Sequence, residues 1–148
     1  MDTSIFNFAV SSKNIGEKRR ITVQFLDKIA SGQLIAYVSP VIFDEIREAP
    51  LKKQNELPGL MGQFFLESLP QTDEVEILAD RYVEQKIIPL KHYDDALHIA
   101  IASVYNLDAI VSWNFEHLVK FKTKREVQAV NTLMGYKMVQ ICSPQEMI

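Results

Sequence analysis

Apolar and polar residues recur along this chain with two periods, near 3.6 and near 2, and the switches between them mark out its elements. Over 17–30, Ile21, Phe25, Leu26 and Ile29 fall three and four apart, which predicts a helix facing a core, and Gly32 stops it. Residues 34–38 are a β-rich apolar run, predicted as a strand. Ser39 then reads as an N-cap with Pro40 at the first helical position, and the helix runs to Pro50. Residues 51–68 are amphipathic but interrupted at Pro58-Gly59, so two short helices are expected there. A short strand over 74–78 and a short helix over 79–86 come next. Residues 96–105 are apolar almost all round, the mark of a buried helix. After a turn at 106–108 comes a strand over 109–113 that stops at the amide Asn114. Helices are expected over 115–120 and 124–133, with Gly135 as terminator, and a last strand over 137–142. The first ten residues read as the end of a strand running into a turn and a helix.

Strands alternating with helices predict βαβ units, and hence an α/β fold: a three-layer α/β/α sandwich around a central parallel sheet. At 148 residues the chain is expected to form a single domain, 1–148, large enough for a full core. Its 47% hydrophobic and 24% charged residues are those of an ordinary globule. With Cys142 as the only cysteine, there is no disulfide framework, and a reducing, cytoplasmic setting is expected. The first residues carry Asp2 and no basic stretch, unlike a signal peptide, and no apolar run is long enough to cross a bilayer. A net charge of -3 argues against non-specific coating of nucleic acid, though not against a local basic patch.

Three carboxylates fall where burial is expected. Glu45 lies within the apolar stripe Val41, Ile42, Ile46 and Ala49, whereas Asp44 lies off it. Asp95 opens the helix with almost no polar face, and Asp2 is surrounded by apolar residues. Each acid has a structural use available: Asp2 as a frayed end, Asp94 or Asp95 as a helix cap, Glu45 as the partner of a core arginine. A buried charge is nevertheless costly unless paired or bound to a cation. Three at the ends of successive βα units, with Asn114 beside them, suit a ligand site at the carboxyl edge of an open sheet. Oxygen-only donors describe a Mg²⁺ or Mn²⁺ site. Zinc suits the chain poorly, because His92, His98 and His117 lack ligand spacing; His98 is expected to be a hydrogen-bonded core residue. There is no nucleophile elbow, P-loop or dinucleotide glycine pattern. Two basic runs stand out, Lys18-Arg19-Arg20 and Lys120-Phe121-Lys122-Thr123-Lys124-Arg125. Such runs are usually solvated helix faces. The second begins soon after Asn114, and a basic rim beside an acidic centre suits a phosphodiester, so Lys120, Lys122, Lys124 and Arg125 are candidate nucleic-acid contacts.

Four blocks in order resemble those of PIN-domain ribonucleases: Asp2-Thr3-Ser4, Ser39…Glu45, Asp95-Ala-Leu-His98-Ile-Ala, and Val111-Ser-Trp-Asn114-Phe115-Glu-His117. The likeness extends to the closing Gly135-Tyr136 and Ser143-Pro144-Gln145-Glu146, and is greatest to VapC-like toxins of type II toxin–antitoxin pairs. It implies Mg²⁺- or Mn²⁺-dependent endonucleolytic cleavage of RNA, with Asp2, Glu45 and Asp95 as metal-holding acids and Asn114 at the fourth catalytic position. It also implies a homodimer and a cognate antitoxin that inserts into the active-site groove. In that family a hydrophobic strand precedes the first aspartate. Here only Met1 does, so the first strand is expected to be truncated by a late or altered start. The same resemblance admits an alternative, a catalytically impaired PIN-like binding protein. A small-molecule phosphatase using the same acids is a third reading, for which no aspartyl-nucleophile motif is present.

Overall fold

The first helix, α1 (Thr3–Val10), starts at the third residue, capped by Asp2, whose side chain accepts the Ser4 backbone N–H at 3.1 Å. The structure is a computed structural model, described for residues 1–10, 16–114 and 118–148. In chain order come α2 (Glu17–Ala30), β1 (Ala36–Val38), α3 (Pro40–Glu48), α4 (Leu51–Met61), β2 (Leu66–Ser68) and α5 (Asp73–Glu84). After them come α6 (Tyr93–Val104), β3 (Ala109–Val111), α7 (Phe121–Met134) and β4 (Gln140–Cys142). The described residues are thus mixed α/β, with short strands in two separate parallel pairs rather than one sheet. β1 pairs β2 with Ala36 opposite Leu66, and β3 pairs β4 with Ala109 opposite Gln140.

Three sequence expectations are corrected. No strand occupies 74–78; α5 runs through it. Thr72 caps that helix, accepting the Val75 N–H at 3.4 Å, and Asp73, Glu74 and Glu76 load its first turn with charge that favours the helix dipole. Val75, Leu78, Ala79 and Tyr82 then make one buried stripe, so helical spacing outweighs the local β-branched pair. Pro58 does not divide 51–61 into two helices. It sits in the closing turns of α4, where its missing N–H removes one rung while Leu57 and Met61 remain anchored in the core. The segment after Gly62 becomes β2 instead of a second helix. The first ten residues contain no described strand, since α1 begins directly after Asp2. Of the helix expected over 115–120, residues 115–117, including Phe115 and His117, lie outside the described residues.

Two apolar clusters share β3. Ile110 packs with Leu78, Tyr82, Ile99, Leu118 and Ile141 of one cluster; Val111 packs with Phe6, Phe25, Ile42 and Val38 of the other. Adjacent strand residues pointing to opposite faces produce this division. α6 is buried over Ala96–Ser103, as its apolar circumference requires. At Ser103 its polar side is closed by Tyr82, whose hydroxyl donates to Asn131 and contacts Ser103, while Asn131 Nδ2 donates to Ser103 Oγ at 2.8 Å. Gly135 ends α7 at φ 83°, a left-handed turn that glycine adopts at least cost. Among the described residues, no helix is long and apolar enough to cross a membrane.

Candidate active site

The start of α1, the middle of α3, the first turn of α6 and the segment after β3 bring the predicted acids and Asn114 into one electrostatic group. Asp2 is only 4% exposed, so it is not a frayed end. Its Oδ1 accepts from the Ser4 backbone and hydroxyl, and its Oδ2 accepts from the Ser112 hydroxyl. The two serines are bound in turn to the segment after β3. Ser4 Oγ accepts the Trp113 N–H at 2.8 Å, and Ser112 Oγ accepts the Asn114 N–H at 2.9 Å. These bonds fix the Asp2 carboxylate beside Asn114 without help from a long strand. Ser4 and Ser112 are site residues that sequence reasoning misses. A serine next to the first acid and one just past a strand end is the signal that could have found them.

Glu45 is half-buried on α3, and Asp44 is exposed beside it, paired with Arg47. The Thr3 hydroxyl donates to Glu45 Oε2, and His98 Nε2 lies 3.2 Å from the same oxygen. Burial pushes the Glu45 carboxyl up, but the His98 and Thr3 hydrogen bonds outweigh it and hold the carboxyl below its usual range. His98 is 3% exposed and spends its Nε2 on Glu45. On α6, Asp94 is exposed and Asp95 is half-buried, with Asp95 Oδ2 accepting from Asn114 Nδ2 at 3.1 Å. Burial, then the negative charges of Asp2 and Glu45, raise the Asp95 carboxyl to about 7, against the pull of His98 and Asn114. Asp2 is raised as well, by burial first, with His98, Ser112 and Ser4 opposing.

A divalent hard cation suits this donor set by chemistry: three carboxylates and an amide, all oxygen, with a mutual repulsion that positive charge would relieve. Each carboxylate oxygen bonded to one hydroxyl retains lone-pair capacity. Among the described residues, however, no group of three or more His, Cys, Asp or Glu side chains is arranged to hold a metal ion.

The basic run lies at the start of α7. Lys120 precedes the helix, Lys122 Nζ is 3.8 Å from Glu126, and Lys124 Nζ is 3.6 Å from Glu146. The Arg125 guanidinium rests 5.7 Å from the Phe121 ring centre. Pairs this exposed hold their partners weakly and exchange them readily. From the other run, Lys18 sits over Trp113 and Phe8, 5.3 and 5.2 Å from the ring centres, one residue from Asn114. Comparisons with protein-family models, curated proteins and solved structures gave no match.

Proposed function

We propose that this chain is a metal-dependent RNA endonuclease of the PIN type, the toxin half of a toxin–antitoxin pair. The observation that carries the reading is the convergence of Asp2 before α1, Glu45 within α3 and Asp95 in the first turn of α6, where burial and then the charges of the other two acids raise Asp95. On this reading β2-β1 and β3-β4 are the two halves of one central parallel sheet covered by helices on both faces. Asp2 and Asp95 would hold a Mg²⁺ or Mn²⁺ ion, and Glu45 would share it or orient the attacking water. Asn114 fixes Asp95 through its amide. A cation bound there would lower the pKa of its water and offset charge developing on the phosphate. Lys120, Lys122, Lys124 and Arg125 would hold the phosphodiester backbone without reading its sequence. A homodimer, a cognate antitoxin seated on the groove, and action in the cytoplasm belong to the same proposal.

One observation favours the catalytically impaired alternative: both Asp2 oxygens are already engaged, Oδ1 by Ser4 and Oδ2 by Ser112. Incubating end-labelled structured RNA with Mn²⁺ separates the two. The nuclease reading predicts internal cuts by the wild type, abolished by chelation and reduced by roughly 100-fold or more in Asp95→Asn, the range for loss of a catalytic group. Equal cleavage by both proteins, or none by either, contradicts it.

A further inference from the structure

Resting on the cation-holding reading of the acids given above, we infer that Thr3 and His98 are positioning residues that set which cation the site prefers. They make Glu45 a one-oxygen donor, which favours a small octahedral divalent cation over Ca²⁺. The Thr3 hydroxyl donates to Glu45 Oε2, and His98 Nε2 lies 3.2 Å from the same oxygen. Among the described residues no hydrogen bond reaches Glu45 Oε1. Because a carboxylate accepts only, His98 donates in this pair. Each carboxylate oxygen offers about two lone-pair sites, so Oε2 is filled while Oε1 keeps both of its own.

The two donors are held firmly. Thr3 is 7% exposed and His98 3%, so packing fixes their side chains and water competes little for their hydrogen bonds. Thr3 follows Asp2 directly and opens α1, and His98 lies one turn after Asp95 on the same side of α6. Glu45, on α3, is thereby tied to the start of α1 beside Asp2 and to the helix that carries Asp95. Its side chain remains 25% exposed, so solutes reach it without the core opening. Asp95 is treated alike, with Oδ2 accepting from Asn114 Nδ2 at 3.1 Å.

Ca²⁺ takes about six to eight oxygens and often grips a carboxylate through both of them, whereas Mg²⁺ demands a near-ideal octahedron and keeps several waters. Mn²⁺ suits the same octahedral oxygen sites. A Glu45 with both oxygens available could chelate Ca²⁺. Held through Oε2, it could do so only by giving up two hydrogen bonds and leaving buried donors unpaired. One-oxygen donors leave the other octahedral positions to water or to phosphate oxygens, as Mg²⁺ is usually bound.

Calorimetric titration of the 148-residue chain with Mn²⁺ and, separately, with Ca²⁺ gives the ratio of the two affinities. Thr3→Val and His98→Leu each remove one donor. Each is expected to lower the Mn²⁺-to-Ca²⁺ affinity ratio by roughly 10-fold, the low end for losing a group that orients a metal ligand. Thr3→Ser and His98→Gln keep an N–H or O–H donor and should keep the wild-type ratio. A role in folding alone would weaken both cations together and leave the ratio in place. Thr3→Val preserves the shape of the side chain, so it decides the matter if His98→Leu does not fold. A wild type that prefers Mn²⁺, with the same ratio in the folded donor-less variants, overturns the inference and leaves the cation site standing. Equal affinity of the wild type for Mn²⁺ and Ca²⁺ also overturns it. Binding of neither cation overturns the cation-holding reading and the inference together.

Discussion

Burial and the charges of Asp2 and Glu45 hold the Asp95 carboxyl up to about 7, against an unfolded value near 3.9. The protonated acid therefore suits the folded state. Its contribution to stability is full below about pH 4, is lost as pH rises toward 7, and then stays flat. At roughly 1.4 kcal/mol per unit the loss is at most a few kcal/mol. Asp95→Asn in the presence of a chelator should match the wild type at pH 4 and melt higher at pH 8, with a shallower pH dependence between. Thermal denaturation across that range checks it; an unchanged pH profile would show that Asp95 is not the strained group. At this scale the sequence is informative. Helical phase distinguishes Glu45 from Asp44, and the closed apolar surface of 96–105 points to the acid at its mouth. It does not identify Ser4 and Ser112 as the holders of Asp2, because small hydroxyl residues have no periodicity of their own.

Elements are legible where periodicity has length. α2, α6 and α7 follow their apolar stripes, and β1, β3 and β4 fall inside the runs that predict them. α5 reads wrongly because five residues cannot distinguish a strand from the first turn of a helix, and the deciding features are the Thr72 cap and the stripe extending to Tyr82. That helix is tied to α6 and α7 by the buried Tyr82, Ser103 and Asn131 network. Tyr82→Phe removes the donor and leaves Asn131 Oδ1 without that partner in the buried core. The expected loss is about 1–3 kcal/mol, the cost of an unsatisfied buried polar atom. Equilibrium urea unfolding measures it. A variant as stable as the wild type would mean that water reaches this network.

Over the whole molecule, the described strands form two separate parallel pairs, and Met1 and Asp2 hydrogen-bond to one strand of each. This division is not legible in the sequence, because which strands pair is a property of the assembled chain. Position, burial and charge coupling of the three acids form one account, in which they exist to hold a cation. Calorimetric titration with Mn²⁺ tests that claim most directly, on wild type, Asp95→Asn and, as the neighbouring control, the exposed Asp94→Asn. Saturable binding by wild type and Asp94→Asn, weakened by roughly 10-fold or more in Asp95→Asn, is the result expected for loss of a carboxylate ligand. Equal binding by all three, or binding by none, would contradict it.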